Sequence, residues 1–355
     1  MKKIRVMIIE DSRVVREFLQ HIIGQDSRLE VAAAMGSAEE ALAVLHDISP
    51  DVVSMDIRLP GMNGLEATQR IMREQPTPIV VVAASVDSDD LSISMNALRI
   101  GALAVVEKPM VTSNRDYQAL ADHLCTQLAL MSQVKVIRQR FDGTRRREPE
   151  GPPVIGRVQR AAGPFQLTGV VASTGGPAAL QKLLTSLDPG FPMPIALVQH
   201  MSEGFLGGFV SWLGGASPFR VLIAEDGERP VPGTVYVAPA NRHLCIERGV
   251  WRLDAGQPVS SQCPSGTVLF QSMARSLGPG ALAVLLTGMG DDGAAGLKEV
   301  RDAGGYTVAE DESTAVVFGM PAAAVRLGAV HELLPLHQIS RRLEQLASIS
   351  TETSR

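Results

Sequence analysis

Residues 168–180 read TGVVASTGGPAAL, and the second half of the chain is predicted to form around them. An apolar run ends abruptly at Ser173, two glycines follow, and Pro177 opens a helix-like pattern. This order predicts a buried strand, a tight turn and a helix whose free N–H groups favour negative charge. A serine held there suits a nucleophile whose attack creates an oxyanion. The same turn also suits a phosphate cradle or a purely structural role.

The composition indicates a protein of two domains with ample apolar cores. The chain has 355 residues, of which 45% are hydrophobic, and a net charge of −5, which gives no case for nucleic-acid binding. Cys125, Cys245 and Cys263 are widely spaced and are interpreted as reduced thiols of a cytoplasmic protein. No stretch approaches the roughly 20 apolar residues that a membrane span needs, so we expect no membrane insertion.

Residues 1–130 alternate five apolar runs with helical patterns, which predicts an open parallel α/β sheet. Glu10 and Asp11 follow the first run, Asp56 the third and Lys108 the fifth. The carboxyl ends of parallel strands share one edge, so these side chains are expected to converge. Three carboxylates with oxygen ligands only indicate a Mg²⁺ site, and a nearby lysine can pair with a phosphoryl group. The alternative is a set of solvated acids at strand ends.

The segments IIEDS, SMDIRLPGMNG and VVEKPM resemble the receiver domain of response regulators over about residues 3–125. The resemblance implies a flavodoxin-like five-stranded sheet, and it implies that Asp56 accepts a phosphoryl group from a histidine kinase. Lys108 would contact that group. The implied Mg²⁺ ligands are Glu10, Asp11, Asp56 and the carbonyl of Arg58.

One position departs from the receiver pattern. Receivers usually place Ser or Thr at the end of the fourth strand as a switch, where this chain has Ala84 followed by Ser85. Either Ser85 takes the role through a small shift, or switching is weakened.

Residues 131–164 are rich in arginine and are interrupted by Pro149, Pro152 and Pro153. We interpret them as a flexible basic linker after a helix that frays near Phe141; a docking or membrane patch is the alternative. The predicted divisions are therefore a receiver domain (1–130), the linker (131–164), a catalytic domain (165–345) and a tail (346–355).

Residues 165–345 predict a second doubly wound α/β domain with a mostly parallel sheet. Ser173, His200 and Asp292 each follow a predicted parallel strand and could converge in one crevice. Such a set suits a serine nucleophile, its base and a residue that orients the base, although a strand-end histidine is often structural. Glycines around Met289 would let its N–H point at an oxyanion.

Several motifs in this half resemble the catalytic domain of the chemotaxis protein-glutamate methylesterases (CheB) over about residues 166–340. They are VVASTGGPAAL, LVQHM, YVAPANRHL, LLTGMGDDGAAGL and EDESTAVVFGMPAAA. The resemblance implies Ser173 as nucleophile, His200 as base and Asp292 as the orienting residue, with the Met289 backbone and the Thr174 turn holding the oxyanion. Where the family often shows an Asp, this chain has Thr267, so a different substrate-contact rim is expected.

The implied activity is hydrolysis of glutamate γ-methyl esters on chemoreceptors, with deamidation of receptor glutamines, in chemotaxis adaptation. The resemblance also implies that phosphorylation of Asp56 relieves a receiver that covers the crevice near Ser173. Mg²⁺ is expected in the receiver domain and no cofactor in the catalytic domain. The protein is expected to be a monomer.

Other classes of function remain to be weighed against this one. A non-enzymatic response regulator would bind a nucleotide or protein through the glycine turn, but it would leave His200 and Asp292 without a role. A DNA-binding regulator fits less well, because the second domain shows no basic recognition helix. A general serine esterase with a receiver attached is the nearest enzymatic alternative.

Overall fold

The computed structural model describes residues 2–83, 95–98, 100–109, 114–134, 136 and 165–352. The chain divides into two compact units, Met1–Arg146 and Arg147–Arg355. Most of the predicted linker and the switch positions Ala84 and Ser85 lie outside the described residues. Those expectations stay predictions.

The first unit contains a five-stranded parallel sheet in the order β2-β1-β3-β4-β5. Its strands are β1 (Ile4–Ile9), β2 (Leu29–Met35), β3 (Val52–Met55), β4 (Ile79–Ala83) and β5 (Ala104–Glu107). Its helices include α1 (Arg13–Gln25), α2 (Ala38–Ile48), α3 (Gly64–Glu74) and α4 (Asn114–Met131). The fold class predicted for this unit is confirmed.

Short polar side chains set where three of these helices begin. Ser12, Ser37 and Asn63 each accept a hydrogen bond from the backbone N–H three residues later. This satisfies one of the N–H groups that a helix start leaves without a partner. Ser12 thus begins α1 two residues after Glu10, and Asn63 begins α3 after the loop that follows Asp56.

The second unit contains a seven-stranded parallel sheet in the order β14-β13-β12-β6-β7-β9-β8, and β10 and β11 form an antiparallel hairpin. Its strands are β6 (Leu167–Ala172), β7 (Ile195–Gln199), β8 (Arg220–Ile223), β9 (Thr234–Val237), β10 (His243–Glu247), β11 (Val250–Asp254), β12 (Ala281–Leu285), β13 (Tyr306–Glu310) and β14 (Glu332–Leu334). Its α-helices are α5 (Gly176–Ser186), α6 (Glu203–Ala216), α7 (Gly266–Leu277), α8 (Ala294–Asp302), α9 (Met320–Arg326) and α10 (Leu336–Glu352). The predicted α/β class is confirmed here as well.

The central strand β6 is buried along its whole length, and α7 lies close against it. A Cβ on Gly169 would lie 2.5 Å from Sδ of Met273, and one on Gly266 would lie 2.3 Å from Cγ1 of Val171. Only glycine allows α7 and β6 to approach this closely. The start of α7 is thereby held beside the end of β6, where Ser173 follows.

The chain's last helix is a feature that the sequence interpretation missed. The predicted tail was to begin at residue 346, but α10 runs through Glu352, and Leu343 and Leu346 are buried. The helix packs on α5, where Ser340 Oγ donates to the Leu183 carbonyl at 3.3 Å. Apolar residues three and four apart were the available signal. Within the described ranges, no helix has the length and apolar character required to cross a bilayer.

Candidate functional site

The three candidate triad residues lie at the ends of adjacent strands in the second unit. Ser173 follows the central strand β6, His200 follows β7, and Asp292 lies in the loop after β12. β6 pairs with both of the other strands in parallel register. The His200 N–H donates to the Ala172 carbonyl at 3.1 Å, which places the start of the histidine turn next to the serine.

His200 and Asp292 form a buried pair. Nε2 of His200 lies 2.9 Å from Oδ2 of Asp292, and Asp292 is only 2% exposed. Asp292 also accepts hydrogen bonds from the start of α7. Their donors are the Ser265 hydroxyl at 2.6 Å, the Gly266 N–H at 2.6 Å and the Thr267 N–H at 3.1 Å.

This environment keeps Asp292 ionised. Burial alone would raise the pKa of a carboxyl group, but the hydrogen bond and charge of His200, with the donors of Ser265 and Thr267, lower the pKa of Asp292 to about 2. The N-terminus of α7 adds a favourable dipole. Asp292 is therefore a permanent hydrogen-bond acceptor for the imidazole.

The contact with Asp292 determines which nitrogen of His200 is left for chemistry. An ionised carboxylate only accepts, so Nε2 carries the proton in the neutral ring. Nδ1 is buried and has no hydrogen-bond partner in the described part of the chain. His200 can therefore act as a base through Nδ1.

Ser173 is held by its backbone groups. Its N–H donates to the Thr287 carbonyl at 3.0 Å, and its carbonyl accepts from the Gly176 N–H at 2.8 Å. The loop after β12 comes close as well, because a Cβ on Gly288 would lie 2.8 Å from Cβ of Ser173. The Ser173 hydroxyl makes no hydrogen bond to Nδ1 of His200. Two of the three predicted triad side chains are thus joined directly, and the third lies on the strand between theirs.

The candidate oxyanion donors lie on the two turns that flank Ser173. Thr174 is buried, and its carbonyl accepts from the Thr287 hydroxyl at 2.9 Å. Met289 is 47% exposed and lies between Gly288 and Gly290, which has φ +86°. Because the Ser173 N–H is already bonded to Thr287, it is not the donor for an oxyanion in this arrangement.

Thr287 and Glu310 are site residues that the sequence interpretation missed. Glu310 is fully buried at the end of β13, and its Oε2 accepts from the Thr287 N–H at 2.8 Å. Burial raises the pKa of Glu310. Thr287 in turn accepts from Ser173 and donates to the Thr174 carbonyl, so it links the Ser173 turn to β13. The motif EDEST contains Glu310, but nothing local in it indicates this contact.

Thr267, where the sequence departs from the family pattern, is buried beside Asp292. The expected substrate-rim position is buried, and its hydroxyl accepts from the Gly293 N–H at 2.8 Å. Its own N–H donates to Asp292. Thr267 therefore holds the loop that carries Asp292, through its hydrogen bonds with Asp292 and Gly293.

Two other histidines of the second unit have structural contacts. Nδ1 of His243 accepts from the Ser265 N–H at 3.1 Å, and its Nε2 lies 3.0 Å from the Gln257 carbonyl. His331 stacks on Tyr306 at a ring separation of 4.7 Å. These contacts give both rings a structural role.

The first unit carries an acidic cluster at the carboxyl edge of its sheet. One oxygen from each of Glu10, Asp11 and Asp56 lies within 4.8 Å of the others. Lys108 Nζ lies 2.9 Å from Glu10 Oε2 and 2.8 Å from Asp56 Oδ2. The Arg58 N–H donates to Asp56 Oδ1 at 3.2 Å, while a role for its carbonyl stays a prediction.

The electrostatics of this cluster favour a bound cation. Burial, and next the charge of Asp56, raise the pKa of Glu10 to about 7. Burial acts to lower the pKa of Lys108, but Asp56 and Glu10 outweigh it and raise that pKa. The all-oxygen donor set fits Mg²⁺, which binds carboxylates and keeps several waters.

The turn after Asp56 depends on a glycine. A Cβ on Gly64 would lie 2.2 Å from the Asp56 carbonyl oxygen and 2.8 Å from Cα of Ile57. α3 therefore begins in contact with the backbone of the acidic site, and no other residue fits there.

Comparison with known proteins agrees with this arrangement. Residues 168–343 match the family model described as CheB methylesterase, and residues 6–118 match the response regulator receiver domain. The chain is 54% identical to a "Protein-glutamate methylesterase/protein-glutamine glutaminase 2" of Paramagnetospirillum magneticum over 98% of each chain. It is 43% identical to a similarly named protein of Syntrophus aciditrophicus, over 97% of this chain and 98% of that one.

A solved structure resembles the second unit. The catalytic domain of the Thermotoga maritima CheB methylesterase matches with a TM-score of 0.50 and 36% identity, over 51% of this chain and 98% of that chain. The similarity extends over nearly all of that domain, so the strand-end arrangement described above belongs to a known enzyme fold.

Proposed function

This chain belongs to the CheB family of receiver-linked protein-glutamate methylesterases, and we propose that it hydrolyses glutamate γ-methyl esters on chemoreceptors through Ser173, His200 and Asp292. The observation that carries the proposal is the buried His200–Asp292 pair beside the strand that ends at Ser173. A base oriented by a carboxylate is what a serine nucleophile requires.

In the proposed reaction, Nδ1 of His200 takes the proton of the Ser173 hydroxyl as Oγ attacks the ester carbonyl. The C–OCH₃ bond then breaks, and the imidazolium returns its proton to the leaving methoxide, which departs as methanol. Water attacks the resulting acyl-enzyme with His200 again as base, and glutamate and free Ser173 are restored. Asp292 stays ionised and stabilises the imidazolium throughout.

The oxyanion would be held by backbone groups of the two turns beside Ser173. We propose the Met289 N–H and the Thr174 turn as donors, since the Ser173 N–H is bonded to Thr287. Removing one such donor typically costs about 10²–10³ in kcat.

The receiver is proposed to regulate this hydrolysis through Asp56. Transfer from a phosphohistidine of a kinase would break its P–N bond and form an Asp56 Oδ–P bond. Glu10, Asp11 and Asp56 would hold Mg²⁺, which supplies charge neutralisation for the phosphoryl oxygens when bound. Lys108, now paired with Asp56, is in reach of an added phosphoryl group.

Deamidation of receptor glutamines is a second activity that the names of the relatives suggest. The same attack on an amide carbonyl would release ammonia in place of methanol. Because an amine is a poorer leaving group, protonation by His200 matters more in this reaction.

Methanol release from a methylated receptor fragment tests the proposal, measured with and without Mg²⁺ and a small-molecule phosphodonor. We expect stimulated release that is lost in Ser173→Ala and is unstimulated in Asp56→Ala. Ser202→Ala is the matched control, since Ser202 begins α6 without a side-chain cap bond.

Each result separates the parts of the proposal. Unchanged hydrolysis in Ser173→Ala would exclude this serine as nucleophile. Hydrolysis of small esters with none of the receptor fragment would favour a general esterase. Methanol release at the same rate with and without the phosphodonor would support the esterase activity and exclude regulation through Asp56.

A further inference from the structure

Gln199 touches both turns that carry the proposed nucleophile and base. It is the last residue of β7, directly before His200, and is 4% exposed. Its amide nitrogen Nε2 lies 2.9 Å from the Ser173 carbonyl and 2.9 Å from the His200 carbonyl. An amide nitrogen has two hydrogens to donate, so both are used on these two carbonyls.

The oxygen side of this amide lies beside Gly176, with no room for a Cβ there, and Oε1 is buried without a hydrogen-bond partner in the described residues. A Cβ on Gly176 would lie only 2.0 Å from Oε1 of Gln199 and 2.9 Å from Cβ of Ala172. Gly176 lies inside the first turn of α5 without a positive φ, so its backbone conformation does not require glycine. The glycine is explained by the space that the Gln199 side chain and Cβ of Ala172 occupy.

The contact lies where the backbone pairing of the two strands stops. The recorded ladder between β6 and β7 ends with Ala172 opposite Gln199, and the His200 N–H then donates to Ala172. The carbonyls of Ser173 and His200 lie beyond that pair. A side-chain amide that bonds both of them continues the link between the strands into the two turns.

We propose that Gln199 is a positioning residue that fixes the Ser173 turn relative to the His200 turn. The proposal rests on the proposed function, in which these two residues are nucleophile and base. Both hydrogen bonds of the Gln199 amide nitrogen go to backbone carbonyls, so we infer that it acts through the placement of Ser173 and not on the substrate. Misplacement of reacting groups by about 1 Å can cost on the order of 10²-fold in rate.

The test is Gln199→Met in the full chain, which keeps the length of the side chain and removes both donors. We expect kcat for methanol release to fall by about 10- to 100-fold while KM stays within about twofold. A small fluorophosphonate that phosphonylates the active serine should label Ser173 more slowly by a similar factor. That probe does not depend on receptor binding.

Ser272→Ala is the matched control. Ser272 is 1% exposed, accepts from the Ile246 N–H at 3.0 Å and donates to the Leu269 carbonyl at 2.7 Å. Its loss removes two buried contacts to backbone without touching either turn. Ser173 of the Ser272→Ala protein should be labelled at the rate of the unmodified protein, even if the thermal stability of the variant is lower.

Gln199→Glu is the second variant in case the methionine variant does not fold. An ionised carboxylate cannot donate to two carbonyls, whereas its protonated form donates to one. Relative to the unmodified protein, its labelling rate should rise as the pH falls.

Labelling of Ser173 in a folded Gln199→Met protein at the rate of the unmodified protein would overturn the role of Gln199. A labelling rate in Gln199→Glu with the pH dependence of the unmodified protein would do the same. If Ser173 of the unmodified protein is not labelled at all, the proposed function fails first and this inference falls with it.

Discussion

Oδ1 of Asp292 lies 2.6 Å from the hydroxyl oxygen of Ser265, while Oδ2 of the same carboxylate lies 2.9 Å from Nε2 of His200. One buried carboxylate therefore joins the start of α7 to the imidazole. The helix start holds the acid in place, and the acid holds the ring. Changes to this carboxylate should affect both the stability of the second unit and its chemistry.

Asp292→Asn should lower kcat by about 10³- to 10⁴-fold, because an amide favours the wrong tautomer of the imidazole. It also places an NH₂ group against donors of α7, so we expect a stability loss of about 1–3 kcal/mol. Steady-state methanol release and urea unfolding followed by tryptophan fluorescence measure the two effects. The control is Asp302→Asn at the end of α8, where the carboxylate pairs with Lys298 on the surface. A kcat within twofold of normal in Asp292→Asn would contradict the assigned role.

The stability of the second unit should also depend on the ionisation of Asp292. Its pKa is lowered from 3.8 to about 2 in the folded protein, so its stabilisation is complete well above pH 3.8 and is lost as the pH falls towards 2. A shift of this size corresponds to about 2 kcal/mol. Urea unfolding at a series of pH values should show that the free energy of unfolding falls less at low pH in Asp292→Asn than in the unmodified protein. Identical pH profiles for the two proteins would refute this contribution.

Ser265→Ala should reduce both stability and turnover. Ser265 donates to Asp292 and accepts from the Val268 N–H as the N-cap of α7, and loss of such a cap costs about 1 kcal/mol. We expect kcat to fall several-fold, because Asp292 keeps its backbone donors. Ser37→Ala removes the equivalent cap of α2 in the first unit and should leave kcat unchanged. Equal kcat values in the two variants would show that the Ser265 hydroxyl is irrelevant to catalysis.

Much of the fold was predictable because its signals are local. The apolar run before Ser173, the two glycines and Pro177 indicated strand, turn and helix, and the structure has β6 and α5 there. The hairpin of β10 and β11 likewise turns at a local signal, Arg248 followed by Gly249, and both residues have positive φ. α10 was missed although its apolar spacing was visible in the sequence.

The supports of the site could not be predicted in the same way. Ser265 and Asp292 are 27 residues apart, and Gln199 and Ser173 are 26 apart, so no local pattern relates them. The sequence placed Ser173, His200 and Asp292 at strand ends, but the choice of Nε2 for Asp292 depends on how the His200 ring packs. The burial of Thr267 at the start of α7 likewise depends on tertiary packing, here of α7 on β6.

Gly64→Ala should disrupt the proposed phosphorylation site of the receiver. Its new Cβ would lie 2.2 Å from the Asp56 carbonyl oxygen, and backbone on both sides prevents relief. We expect a stability loss of about 1–3 kcal/mol and slower phosphorylation by a small-molecule phosphodonor. Gly24→Ala in α1 is the control, since no atom lies within 4 Å of its Cβ and alanine favours the helix. Phosphorylation of Gly64→Ala at the rate of the unmodified protein would show that the contact of Gly64 with the Asp56 backbone does not matter for the site.

Mg²⁺ should stabilise the receiver through its acidic cluster. Glu10, Asp11 and Asp56 bring three carboxylate oxygens within 4.8 Å, and Lys108 balances only part of their charge. A bound cation removes the remaining repulsion, so millimolar Mg²⁺ should slow hydrogen–deuterium exchange in peptides from residues 2–83 and chelation should reverse this. In Asp11→Asn the same slowing of exchange should require about tenfold more Mg²⁺, because one charged ligand is lost. Glu17→Gln is the control. It removes the surface pair with Arg13 and should leave the required Mg²⁺ concentration unchanged. Exchange that is insensitive to Mg²⁺ in the unmodified protein would show that these carboxylates do not form the cation site.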